Sequence, residues 1–176
     1  MSAIARDFDG TIIKNTGDSL IFYFPKTTGP ISNSSMMDFK KVFECGLTMI
    51  AVNPIINEKL KERELPGLSY RISADYGKVE VAKSLTSTSE DLFGPTVNLC
   101  SKINSRACPN QMVIGNNLYK ITKAAFSINE YHFHQVENYS IDNNFENQYP
   151  VYYVSNKSNA GGSKLKYRGS CVYCNS

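Results

Sequence analysis

The chain has 176 residues, of which 41% are hydrophobic and 20% charged, the balance of an ordinary globular domain long enough to bury one core. Its net charge of +3 comes from the C-terminal end: without Lys157, Lys164, Lys166 and Arg168 the 19 basic residues fall to 15, against 16 acidic ones. A nearly neutral body excludes a basic nucleic-acid-binding face, and no apolar run approaches the ~20 residues of a membrane span.

Met1 to Arg6 is too short and too polar for a signal peptide. The cysteines are Cys45, Cys100, Cys108, Cys171 and Cys174. An odd number without a secretion signal reads as reduced thiols in a cytoplasm.

In chain order, Thr11–Lys14 and Leu20–Phe24 are apolar runs separated by Gly17-Asp18. They predict a β-hairpin ended by Pro25. Ser35 to Asp38 has the spacing of a capping box, and Phe39, Phe43, Leu47 and Ile50 form one apolar helical stripe. Pro54 ends or kinks that helix, and Ile55 to Glu64 resumes it as a charged turn or two. Leu68 to Tyr76 alternates as a strand, and Gly77 turns it into Val79–Ala82, a second predicted hairpin. Leu85 to Glu90 is a Ser/Thr loop. Gly94 to Arg106 predicts a helix stopped by Pro109. Met112–Ile114 is a short buried strand and Asn117–Lys123 a short helix. His132–Val136 and Val151–Val154 are late strands. Residues 158 to 163 have linker composition. Hairpins mixed with crossover helices predict an α+β fold, an antiparallel-rich sheet flanked by helices. The predicted domain is 1–156, with 157–176 a flexible basic tail.

Two segments carry candidate chemistry. Lys14-Asn15-Thr16-Gly17-Asp18 places an ammonium and a carboxylate at a hairpin turn. Asp91 stands just before a helix on which Asn98 and Lys102, four apart, share a face. Seen alone, the second segment reads by default as a capping Asp with two solvated polar residues.

Taken together and in this order, they resemble the class III nucleotidyl cyclase catalytic domain. Lys14, Gly17 and Asp18 match its hairpin motif. Asp91, Phe93-Gly94, Thr96-Val97-Asn98 and Lys102 match its second motif. Arg71-Ile72 and Tyr76-Gly77-Lys78-Val79 match the strand-turn-strand between them. The resemblance spans roughly residues 1 to 154 and implies a ferredoxin-like cyclase core, ATP as substrate, 3′,5′-cyclic AMP and pyrophosphate as products, Mg²⁺ or Mn²⁺ as cofactor, and a head-to-tail homodimer as partner arrangement. It implies that Asp18 binds metal and that Lys14 and Asp91 read adenine. Asn98 would orient the ribose and Lys102 stabilise phosphate charge.

The sequence departs from that family at several places. Met1 to Phe8 corresponds to the end of the family's first helix, so the strand bearing its other metal carboxylate is not in this sequence. Asp7 and Asp9 lie at the far end of the first hairpin strand from Asp18, too far to replace it. Lys102 stands where the family has Arg, which loses the planar bidentate fork. Residues 131 to 148 hold no lysine to match the family's triphosphate-binding one, and Lys83 and Leu85 stand where glycines are expected. These departures imply weak or absent turnover in this chain. The alternative is a non-catalytic, cyclase-like module that binds a nucleotide or dimerises. A third reading is Asp7-Phe8-Asp9-Gly10-Thr11 as the nucleophile motif of a haloacid-dehalogenase-type phosphatase, which needs a parallel strand ending at Asp7. His132 and His134 share a strand face but have no third ligand in the sequence, so no role is assigned to them. Cys171-Val172-Tyr173-Cys174 is a lone C-x-x-C and a weak metal or redox signal.

Overall fold

The structure is a computed structural model that describes residues 1–27, 33–83, 90–125, 130–136 and 149–157, with only the backbone at 33–35 and 125. It opens with helix α1 (Ser2–Asp7), then strands β1 (Thr11–Asn15) and β2 (Leu20–Tyr23), which pair antiparallel as predicted. Pro25–Thr27 form one 3-10 turn. Helix α2 (Asn33–Ala51) starts two residues before Ser35, so Ser35 lies inside the helix and is not its cap. One residue, Val52, separates it from α3 (Asn53–Glu62). Pro54 sits in the first turn of α3, where its missing N–H costs nothing.

Beyond that point the structure corrects the sequence reading. Strand β3 (Arg71–Ala74) does not pair with β4 (Glu80–Lys83). Instead β4 pairs antiparallel with β5 (Glu90–Phe93), a strand the sequence does not announce. The second hairpin expected from Gly77 is therefore a crossover. The predicted loop at Leu85–Glu90 falls, up to residue 89, outside the described residues. After β5 come α4 (Pro95–Asn104), β6 (Gln111–Gly115), α5 (Asn116–Ala125), β7 (Tyr131–Gln135) and β8 (Val151–Asn156). The main sheet has the order β3-β6-β8-β7, with β3 and β6 parallel and the other pairs antiparallel.

Alternation along β6 sorts the core. Met112 and Ile114 point to one face with Tyr131 and Val154, where Phe39, Val42 and Phe43 of α2 and Leu118 of α5 cover them. Val113 points to the other face with Val151, covered by Ile103 of α4 and by Ala107. The sheet thus lies between two helical layers, the α+β arrangement expected. The β1–β2 hairpin joins through a third cluster, in which Ile12 and Phe22 pack near Ala5 of α1 and Cys45 and Met49 of α2. Burial there pushes the Cys45 thiol up to about 11, the behaviour of an inert core cysteine rather than a nucleophile. Gly46 lets α2 approach the sheet, since a Cβ there would lie 2.5 Å from the Met112 sulfur. Among the described residues no helix is long and apolar enough to cross a membrane. The basic tail beyond Lys157, Cys171 and Cys174 included, lies outside the described residues.

Candidate active site

The hairpin turn builds the first half of the site. Gly17 adopts φ 79°, a left-handed conformation that glycine takes without a Cβ penalty. The turn closes with the Thr16 N–H donating to the Ser19 carbonyl at 3.0 Å, and the Thr16 and Ser19 hydroxyls lie 2.7 Å apart. Asp18 is left exposed at the tip, and Lys14 is exposed on β1 opposite Ile21.

The second half begins on β5, not in a loop before the helix. Asp91 is half-buried, opposite Ala82 of β4. Its carboxylate accepts the N–H of Leu92 at 3.0 Å. Strand β1 lies against β5, so the strand of Lys14 and the strand of Asp91 are neighbours although 77 positions separate the two residues.

Gly94 then turns the chain into α4 at φ 132°, a region only glycine occupies easily. It also packs tightly, because a Cβ would stand 3.0 Å from the Lys78 carbonyl oxygen. Thr96 donates its hydroxyl proton to that same carbonyl at 3.0 Å. A Cβ on Gly77 would meet the Thr96 Oγ1 at 2.3 Å. The Gly77-Lys78 turn and the Gly94–Thr96 entry thus interlock and fix where α4 starts. The helix is held from its inner side by Ile103, fully buried, and by Asn104, whose Nδ2 donates to the Ser73 hydroxyl at 3.1 Å. The Cys100 sulfur lies 3.4 Å from the same hydroxyl. Asn98 and Lys102 are left together on the exposed face, as their spacing predicted. Among the described residues neither Lys14 nor Lys102 is in an ion pair, so both ammonium groups are available to an anion.

Two parts of this neighbourhood are not visible in the sequence. One is the Thr96 to Lys78 clasp. The other is Asp75, just past β3. Its carboxylate accepts the N–H of Tyr76 at 2.8 Å, the N–H of Leu118 at 3.2 Å and the Tyr149 hydroxyl at 2.6 Å. Burial raises the Asp75 pKa, and those three donors oppose the rise. A Cβ on Gly115 would meet the same carboxylate at 2.3 Å, so the glycine makes its room. No spacing rule links residues 74 positions apart, so this bridge between β3, α5 and the start of β8 had no sequence signal.

The phosphatase reading is overturned. Asp7 is the last residue of α1, not the end of a parallel strand. Asp9 sits at φ 67°. Its carboxylate accepts from Lys41 Nζ at 2.6 Å and Lys26 Nζ at 3.0 Å. These hydrogen-bonded lysines hold it below the usual carboxylate range, as a structural clasp would.

A divalent ion fits this site in one way. Asp18 offers an exposed carboxylate, and Mg²⁺ is commonly held by one or two carboxylates with substrate phosphates completing the shell. Among the described residues no group of three or more His, Cys, Asp or Glu side chains forms a cage of its own.

Comparison with known proteins bears on the family and the fold. A family model described as the adenylate and guanylate cyclase catalytic domain matches residues 1–156. The adenylyl cyclase CyaB from P. aeruginosa superposes with a TM-score of 0.69 at 19% identity, over 88% of this chain and 76% of that one. The guanylyl cyclase Cya2 gives 0.65 at 20% identity, over 95% and 77%. The guanylate cyclase domain of RhGC from Catenaria anguillulae, solved with GTP, gives 0.62 at 16% identity, over 88% and 77%. No curated protein sequence matches the chain.

Proposed function

Because this chain belongs to the adenylate and guanylate cyclase catalytic domain family, we propose that it binds ATP at the site formed by Lys14, Asp18, Asp91, Asn98 and Lys102. Its reaction is the slow conversion of ATP to 3′,5′-cyclic AMP and pyrophosphate. The observation that carries this reading is the packing of β1 against β5, which makes neighbours of the strands bearing Lys14 and Asp91. An ammonium that donates and a carboxylate that accepts complement the ring nitrogen and exocyclic amine of adenine. Guanine presents the opposite pattern.

In the reaction the ribose 3′ oxygen attacks the α-phosphorus and pyrophosphate leaves. The 3′ hydroxyl proton goes to solvent or to a product oxygen. Catalysis of this kind is positioning plus electrostatics. Asn98 holds the ribose so that the 3′ oxygen faces phosphorus. Lys102, one turn on, places positive charge where the phosphate gains negative charge. Asp18 would hold a divalent ion, Mg²⁺ or Mn²⁺, which would lower the pKa of the attacking hydroxyl and neutralise the triphosphate. Asn98 and Lys102 lie on α4, while Asp18 is at the tip of the β1–β2 turn. We infer that a head-to-tail homodimer brings these halves together across two copies. A second reading shares the site: a domain that binds nucleotide without turnover. What supports it is that, among the described residues, no group of three or more His, Cys, Asp or Glu side chains could hold an ion, which leaves the proposed ion to Asp18 alone.

The test is affinity for ATP against GTP with Mn²⁺ present. ATP binds tighter by about tenfold, the scale of one hydrogen bond to a charged group. Lys14→Glu removes or inverts that preference. Equal affinities in the starting protein, or no change on charge reversal, overturn Lys14 and Asp91 as base readers.

A further inference from the structure

Strand β7 is an edge strand that pairs with β8 alone among the described residues. His132 and His134 are alternate residues on it, so both rings project from one face. The rings are nearly parallel, 28° apart in plane, with centroids 6.1 Å apart. His132 is half-buried and His134 exposed. Across the ladder Ser155 stands opposite His132 and Tyr153 opposite His134. The Tyr153 hydroxyl is engaged, donating to the Arg106 carbonyl at 3.0 Å. Glu130, two residues before His132, is ion-paired with Lys40 at 2.7 Å.

We propose that His132 and His134 chelate a borderline divalent transition-metal ion, Cu²⁺, Ni²⁺ or Zn²⁺, at a surface site separate from the nucleotide site. Imidazole nitrogens suit these metals, whereas Mg²⁺ and Ca²⁺ prefer oxygen. The geometry is close to that of a chelate. A metal–nitrogen bond of about 2.0–2.1 Å in a tetrahedral or square site puts two imidazole centroids about 4.5–5 Å apart. The observed 6.1 Å lies about 1–1.5 Å beyond that distance. Two ring nitrogens come from the protein, and the remaining positions take water or a ligand from outside. The Ser155 hydroxyl, on the same face, has no hydrogen-bond partner among the described residues and is placed to receive a bond from such a water. Nucleotide chemistry plays no part in this inference, so it stands or falls apart from the proposed function.

The test is calorimetric titration of the 176-residue chain with Ni²⁺ and then Cu²⁺, in the absence of nucleotide. One ion binds per chain, Cu²⁺ tighter than Ni²⁺ as the usual order of divalent affinities requires. Millimolar Mg²⁺ does not compete. His132→Gln and His134→Gln each weaken Ni²⁺ binding by at least about tenfold, because either loss breaks the chelate. Circular dichroism confirms that each variant is folded. Asp18→Ala leaves the affinity unchanged. Electron paramagnetic resonance of the Cu²⁺ form shows coupling to two nitrogens. Binding that survives in the double variant, or that disappears instead in Cys171→Ser/Cys174→Ser, overturns the proposal. So does the absence of a one-to-one Ni²⁺ complex.

Discussion

Assayed with ATP and excess Mn²⁺ beside an active adenylyl cyclase, the 176-residue chain forms cyclic AMP at least about a hundredfold more slowly, and Asp18→Ala removes what activity remains. The reason is charge. Two-metal phosphoryl transfer uses one ion to activate the nucleophile and another to neutralise the leaving group, each worth several kcal/mol of barrier. Asp18 is the single carboxylate that the turn at Gly17 presents, and Asp9 is committed to Lys41 and Lys26. One ion would then be held well and the other poorly. A loss of about 3 kcal/mol slows turnover on the order of a hundredfold. Lysine at position 102 adds to the deficit, because it supplies a point charge without the bidentate fork of arginine. Turnover comparable to the active enzyme, abolished by Asp18→Ala, would mean that another residue supplies a second carboxylate. The electrostatic account would then be wrong.

Phe43→Ala lowers the unfolding free energy by about 3–5 kcal/mol, the range for removing a buried phenylalanine. Phe43 is fully buried. Its ring centroid lies 5.1 Å from that of Tyr131 and 5.9 Å from that of Phe133, both on β7. Those rings hold β7 to the helix layer, so truncation leaves a cavity bounded by aromatics that cannot collapse into it. Typical domains have about 5–15 kcal/mol in total, so the variant is close to unfolding at 37 °C. Phe43→Leu, which keeps most of the volume, costs much less. Denaturant titration measures both. A loss below about 1 kcal/mol for Phe43→Ala would show that this cluster does not anchor the sheet.

The elements legible in the sequence are those whose signals are local. The Gly17-Asp18 break gave the first hairpin its turn, Pro54 marked the helix boundary within two residues, and the period of Phe39, Phe43, Leu47 and Ile50 identified the helix that covers the sheet. The pairing of β3 was not local. Ile72 and Ala74 face the core with Met112 and Ile114, forty residues on and parallel, whereas every residue of β4 is exposed. Five residues between β3 and β4 suit a hairpin or a departure from the sheet equally well, and only the distant partner decides. Strand β5 was hidden for another reason. Glu90 and Asp91 have poor strand propensity, and their pairing with β4 is imposed by tertiary context.

The candidate residues were drawn from their order and motif spacing, and strand β1, which carries Lys14, lies against β5, which carries Asp91. What no pattern disclosed is the framework that aims them. The Thr96 clasp on the Lys78 carbonyl and the Asp75 bridge to Tyr149 each join residues through contacts that leave no periodicity behind.

The most direct measurement is amide resonance spectroscopy of ¹⁵N-labelled chain titrated with Mn²⁺ and ATP together. Mn²⁺ broadens amides close to it, and bound nucleotide shifts those around it. The site proposed above requires broadening centred on Gly17, Asp18 and Ser19, with shifts at Lys14, Asp91, Asn98 and Lys102, all lost in Asp18→Ala or Lys14→Glu. Broadening centred instead on Asp7 and Asp9 or on β7, with the amides of Lys14, Asp91 and Asn98 unmoved at saturating ATP, would contradict it.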